Sequence, residues 1–136
     1  VSVIRLVPTV RERRKYQRER RYLDFEIDGV SVRSLVDAEL DLISVLATDH
    51  PHDPQRLARV LGEAPGDAPD GRTLLYVCPE CEDIECCAIA AKVSRRGDIV
   101  TWRDFGVPEE DEADNEYAER AVTFFAREFL RELAGR

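Results

Sequence analysis

Apolar and polar residues alternate along several short stretches of the chain. Leu23, Phe25 and Ile27 interleave with Asp24, Glu26 and Asp28, a period of two that buries one face of a strand and wets the other. Asp28-Gly29 supplies the positive-φ positions of a tight turn, and the chain returns through Val30 and Val32, so this segment predicts a β-hairpin. Val1 to Val7 is rich in β-branched residues and predicts a strand that ends at Pro8. Farther along, Thr73 to Cys78, Cys86 to Val93 and Ile99 to Phe105 predict three antiparallel strands, the last two joined by Arg95-Arg96-Gly97-Asp98. The stretch Ser34 to Ala47 admits two readings. Ser34 and Asp37 suit the start of a short helix, whereas Leu42-Ile43-Ser44-Val45-Leu46 suits a buried strand, and periodicity does not decide between them over so short a run.

Helical spacing takes over twice. Asp53 as N-cap, Pro54 at the first helical position and Gly62 as the stop predict a helix whose apolar face is Leu57, Val60 and Leu61. Glu63 to Arg72, rich in Pro, Gly and Asp, predicts a loop. A longer helix is predicted from Asp114 or Asn115 to Ala134, because Tyr117, Ala121, Phe124, Phe125, Phe129 and Leu133 recur at helical intervals before Gly135. Those aromatics read as core. The expected fold is α+β: one domain over residues 1–136, mainly antiparallel sheet, with a short middle helix and a long C-terminal amphipathic helix. No internal repeat and no second domain is apparent.

At 136 residues, the chain is long enough to bury a core without obligatory staples. It contains no apolar run of membrane-spanning length and no signal-peptide pattern, so a cytoplasmic location is the default expectation. Charge changes the picture more than size does. Residues 1 to 22 hold eight basic residues (Arg5, Arg11, Arg13, Arg14, Lys15, Arg18, Arg20, Arg21) against Glu12 and Glu19, a net +6; because the whole chain is −8, the rest carries −14. This segment reads as an edge strand or a basic arm, solvated or paired within the molecule. An acidic body repels phosphates, so nucleic acid is not the expected partner. Glu109-Glu110-Asp111-Glu112, with Asp114 and Glu116, forms the opposite pole.

The remaining concentrated chemistry is Cys78-Pro79-Glu80-Cys81-Glu82-Asp83-Ile84-Glu85-Cys86-Cys87, which contains all four cysteines. Cys-x-x-Cys resembles half of a zinc knuckle, and Cys86 would supply a third sulfur, with Asp83 or a histidine from His50-Pro51-His52 as fourth ligand. The same spacing also occurs in dithiol redox sites. Here it follows the strand-like Thr73 to Val77, and Glu80, Glu82, Asp83 and Glu85 raise the thiol pKa values and blunt reactivity. A third reading makes the cysteines packing residues or a structural disulfide.

Leu75-Tyr76-Val77-Cys78-Pro79-Glu80-Cys81, with Val100-Thr101-Trp102-Arg103-Asp104-Phe105-Gly106 downstream, resembles a family of small, largely uncharacterised bacterial proteins. Their pattern is roughly Y-V-C-P-E-C-G-D-x-x-C-G-A followed by a strand ending W-R-D-F. The similarity spans about Tyr22 to Gly106 and departs from the pattern at Glu82 and Cys87, where the family has glycine. Some relatives carry an oxidoreductase label, but no cofactor motif in this chain supports it, and the resemblance implies a shared fold more than an activity.

No phosphate-cradling glycine loop, His-Glu-x-x-His or serine elbow occurs. The expectation is therefore a non-catalytic acidic module that occludes a basic partner protein, as immunity proteins or antitoxins cap toxin domains. Its contacts would be Glu109, Glu110, Asp111, Glu112, Asp114 and Glu116, with Trp102 or Tyr117 as an aromatic anchor. The alternative is a small zinc or thiol redox protein centred on Cys78, Cys81 and Cys86. No cofactor other than zinc is suggested.

Overall fold

The computed structural model describes residues 1–35, 41–49, 53–80, 88–107 and 121–135. Strands β1 (Ile4–Arg11) and β2 (Arg20–Ile27) pair antiparallel without a break, from Ile4 opposite Ile27 to Arg11 opposite Arg20. Asp28 (φ 50°) and Gly29 (φ 84°) then turn the chain into β3 (Val30–Ser31), as the Asp-Gly pair predicts. The first strand does not stop at Pro8, which sits opposite Leu23. β1 is the edge of this three-stranded sheet. Two residues earlier, the Leu6 N–H points away from β2 and donates to Glu132 Oε1 at 3.2 Å. The Pro8 nitrogen faces that same outer side, so the ladder loses no bond.

A five-stranded antiparallel sheet follows, in the order β4 (Ile43–Ser44), β5 (Thr73–Val77), β6 (Ala88–Arg96), β7 (Ile99–Gly106) and β8 (Ala121–Phe125). Of the ambiguous stretch, Ser34 and Leu35 end a 3-10 turn (Val32–Leu35) and Ile43–Ser44 form the short β4, while Asp37 lies outside the described residues. Helix α1 (Pro54–Val60) starts as its sequence predicts: Asp53 Oδ1 accepts from the Gln55 N–H at 2.9 Å, and Pro54 occupies the first turn. Gly62 lies at φ 75° beyond the end of the helix, and a Cβ there would meet Arg95 Cβ at 2.9 Å. Left-handed backbone and close approach therefore both demand glycine.

The predicted long C-terminal helix requires correction. Residues 121–125 form β8, and helix α2 spans only Ala126–Ala134. Val122 and Phe124 are buried while Ala121 is exposed and Thr123 and Phe125 are partly so, a period of two in place of the helical stripe through Ala121, Phe124 and Phe125. β7 decides the matter by presenting a free ladder, with Ile99 opposite Phe125 and Arg103 opposite Ala121. Among the described residues of the stripe, the aromatics are core with one exception. Phe124 and Phe129 are fully buried, whereas Phe125 is half-buried beneath the Arg127 guanidinium, 4.3 Å from its ring centroid.

Hydrogen bonds join the sheets at both margins. Leu23 N–H donates to Leu46 O (3.0 Å) and Thr48 N–H to Arg21 O (2.8 Å), while on the far side Ser2 N–H donates to Thr123 O (2.8 Å). The result is a partly closed barrel. Its interior is aromatic: Phe25 meets Tyr76 and Trp102 edge-on at 5.8 and 5.0 Å, Trp102 meets Phe124 at 4.9 Å, and Phe129 stacks on Phe124 at 5.9 Å.

Two bulges flank β6 at Ala90. β5 inserts an extra residue between Leu74 and Tyr76, and β7 inserts one between Arg103 and Gly106. On a regular strand Trp102 and Phe105, three residues apart, would face opposite ways. The extra residue, with Asp104 at φ 52°, lets both bury completely. The Trp-Arg-Asp-Phe segment is thus a bulged strand whose Asp occupies a conformation that Asp and Asn tolerate better than most side chains.

Candidate functional site

The antiparallel order brings two long connections to one end of the five-stranded sheet. Val77, where β5 stops, lies opposite Ala88, where β6 starts; Gly106, where β7 stops, lies opposite Ala90, three residues beyond the Arg103–Ala121 pair that opens β8. The cysteine-bearing connection 78–87 and the acidic connection 107–120 therefore leave from adjacent strand ends. Ile43 pairs with Val77, so Asp41 and Leu42 belong to the same end. Both bulges lie there as well.

The first residues of the cysteine connection are held from across the molecule. Arg20 is fully buried and Arg11 is 6 % exposed, and the two sit directly opposite each other on β1 and β2. Side by side, two guanidiniums repel, and carboxylates compensate them on both sides. Arg11 forms a bidentate pair with Asp41 (Nε to Oδ1 3.2 Å, Nη2 to Oδ2 2.9 Å) and donates further to Glu80 Oε1 (3.3 Å), Gln17 Oε1 (2.9 Å) and the Arg18 carbonyl (2.8 Å). Arg20 forms a bidentate pair with Asp49 (2.9 and 3.2 Å) and donates a short bond to the Pro79 carbonyl. The planar fork of arginine matches carboxylate geometry in a way lysine does not. Pro79 and Glu80, the two residues that follow Cys78, are thus fixed to the turn end of the β1–β2 ladder.

These contacts move the titrations as charge pairing requires. Partial burial pushes the Asp49 carboxyl up, but the bonds from Arg20 and from the Arg21 N–H outweigh it and hold the group at about 2. The hydrogen bond from Arg11 holds Asp41 below the usual carboxylate range, and Asp41 in turn raises Arg11. All three groups stay charged across the neutral range, so this cluster is a clamp and not a proton donor.

A second polar cluster ties the two sheets together. The Tyr76 hydroxyl donates to Asp24 Oδ1 at 2.5 Å and accepts from the Arg33 N–H at 3.2 Å, and Ser31 Oγ donates to Asp24 Oδ2 at 2.7 Å. Burial, together with the Asp24 charge, drives the Tyr76 phenol well above its ordinary range. It cannot give up a proton near neutrality, and its role is structural.

The residues expected from sequence fall into three groups. Trp102 corrects the expectation of an exposed aromatic anchor: it is 0 % exposed and its Nε1–H donates to the Val60 carbonyl at 2.8 Å, so it pins α1 to the core. Cys78 is half-buried at the end of β5. Glu109, Glu110, Asp111, Glu112, Asp114, Glu116 and Tyr117, together with Cys81, Asp83, Cys86, His50 and His52, lie outside the described residues. Among the described residues, no group of three or more His, Cys, Asp and Glu side chains is arranged to hold a metal ion, and no helix is long and apolar enough to cross a membrane. Sequence reasoning missed the Arg11 and Arg20 clamps. Their carboxylate partners lie 29 to 69 residues away along the chain, and the only signal was that the N-terminal segment carried more positive charge than an exposed strand needs. Comparisons with protein-family models, with curated proteins and with solved structures find no match for this chain.

Proposed function

We propose that this chain is a non-catalytic binding module that docks a basic protein at the end of the sheet from which connections 78–87 and 107–120 emerge. One observation supports the reading: both connections leave from adjacent strand ends. Together they hold eleven of the 28 Asp and Glu residues against a single basic residue, Arg120. Carboxylates on two connections that leave adjacent strand ends would raise the negative potential near that end, and such a field steers a basic partner to it. Glu109 to Glu112, Asp114 and Glu116 provide the charge, and Tyr117 takes the place of Trp102 as aromatic anchor. The mechanism is occlusion, in the manner of an immunity or antitoxin protein covering a cationic toxin surface. The Arg11 and Arg20 clamps serve this reading by holding the start of the cysteine connection rigid, which lowers the ordering cost of docking.

The competing reading places a zinc or thiol redox centre at Cys78, Cys81 and Cys86. The same clamp favours it to one degree, because fixing Pro79 and Glu80 also preorganises the turn that separates two sulfurs. A capture experiment tests the first reading: the wild-type chain should retain a basic protein at low salt, and a variant with Glu109, Glu110, Asp111 and Glu112 changed to their amides should not. Retention by the variant equal to wild type refutes the acidic edge as the docking surface.

A further inference from the structure

We propose that the tip of the β1–β2 hairpin binds single-stranded nucleic acid. The tip is built around a two-residue turn, Lys15-Tyr16, closed by reciprocal bonds between Arg14 and Gln17 (3.1 and 2.9 Å). Tyr16 takes φ 67°, a left-handed conformation that aromatic residues rarely adopt, and its side chain is 93 % exposed. Backbone strain that presents an aromatic ring to solvent calls for a reason outside the fold, and stacking is the interaction such a ring provides. Lys15 Nζ stands 5.4 Å from the ring centroid on one side, and the exposure of the ring leaves its other face open to a base.

The charges around the ring suit a phosphate backbone. Arg13, Arg14, Tyr16, Gln17, Arg18 and Glu19 line an open cleft of about 510 Å³. Among the described residues, neither Arg13 nor Arg18 has a carboxylate partner, and Arg14 reaches Asp41 only at 3.6 Å. The acidic body works against phosphate binding, but most carboxylates beside the hairpin are paired: Asp41 with Arg11 and Arg14, Glu80 with Arg11, Asp49 with Arg20 and Glu19 with Arg21, and Arg13, Arg14, Lys15 and Arg18 outnumber Glu12 and Glu19 in the loop. Those pairs also root the hairpin rigidly, so the tip projects as a fixed, cationic, tyrosine-capped prong. Spaced guanidiniums along a cleft beside one stacking ring match a flexible strand with splayed bases better than a stiff duplex. This inference is independent of the acidic edge.

The test is fluorescence anisotropy of the full chain with labelled oligothymidylate and oligouridylate of about 15 nucleotides at low salt. Binding should weaken as salt rises with a log–log slope of about −2, the value for roughly three phosphate contacts on a single strand. The double variant Arg13→Ala/Arg18→Ala should bind about tenfold or more weakly and flatten the slope to about −0.7. Tyr16→Asn should also bind about tenfold more weakly while its thermal midpoint stays level or rises, because Asn accepts the left-handed backbone. Absence of binding to either oligonucleotide at low salt overturns the proposal, as do wild-type affinity in both variants, stronger binding of a duplex of equal length, and displacement of the strand by polyglutamate as effective as by unlabelled oligonucleotide.

Discussion

Replacing Arg20 with methionine should destabilise the protein more than removal of any exposed charge, and the loss should carry a pH signature. Methionine fills much of the arginine volume without supplying a donor. The substitution leaves the Pro79 carbonyl and both Asp49 oxygens without the guanidinium that bonds them, and breaking a buried pair from one side costs about 3 to 5 kcal/mol. The Asp49 contribution can be separated by pH. Its carboxyl sits at about 2, against an ordinary value of 3.8, a depression equivalent to about 2 to 3 kcal/mol at roughly 1.4 kcal/mol per pKa unit. The Asp49 side chain is 21 % exposed, so solvent screening trims that figure and does not abolish it. Because the folded-state pKa is lowered, this stability is fully present above about pH 4 and is lost as pH falls from about 4 toward 2. Urea unfolding followed by the fluorescence of Trp102, the single tryptophan, measures both effects. Arg20→Met should lower the unfolding free energy by about 3 kcal/mol near neutrality and should show a shallower decline below pH 4. A variant within about 0.5 kcal/mol of wild type at neutral pH, or one with an unchanged acid slope, refutes the clamp.

Phe124→Ala and Phe129→Ala should each cost about 3 to 5 kcal/mol in the same assay, whereas Phe125→Ala should cost about 1 kcal/mol because that ring is only half-buried; equal losses at the three positions would mean that the 121–125 segment is helical. Asp104→Val should destabilise by about 1 to 3 kcal/mol, since a β-branched residue is strained at φ 52°, and Asp104→Gly should be close to neutral as backbone relief offsets the lost ion pair with Lys92; a tolerated valine would show that β7 is not bulged there. Cys78→Ser/Cys81→Ser should change stability alone, and elemental analysis of protein purified under reducing conditions should find far less than one zinc per chain. Stoichiometric zinc that the double variant loses, or thiol-dependent reduction of a model disulfide that it abolishes, would make the cysteine centre the leading reading.

The parts of the fold that were legible in sequence are those fixed by neighbours along the chain. Asp28-Gly29 dictates its hairpin, and Asp53-Pro54 with Gly62 dictates α1, because left-handed turn residues and helix caps act over a few positions. Where two periods fit the same residues, only a tertiary partner decides. Phe124 belongs to a helix stripe with Ala121 and Phe125 and to a strand face with Val122, and the open edge of β7 selects the strand. Pro8 looked like a strand end, yet at an outer edge a missing N–H is harmless. Trp102 was one of two candidate aromatic anchors, yet it is fully buried. The bulge at Asp104, which lets Trp102 and Phe105 share one face, leaves no signature in composition. The arginine clamps were the least legible of all. A run of basic residues reads as an arm either solvated or paired within the molecule, and only the fold names the partners as Asp41, Asp49 and Glu80.

The account stands most directly on the salt dependence of association with the basic partner, measured by stopped flow for wild type and for the chain with Glu109, Glu110, Asp111 and Glu112 converted to their amides. Long-range attraction is screened over about 8 Å at physiological ionic strength. The wild-type association rate should therefore fall steeply as salt rises while dissociation changes little, and the variant should associate at the slow, high-salt rate even at low salt with its thermal midpoint unchanged. A variant that associates as fast as wild type, or a wild-type rate indifferent to salt, would contradict the acidic end of the sheet as the docking surface.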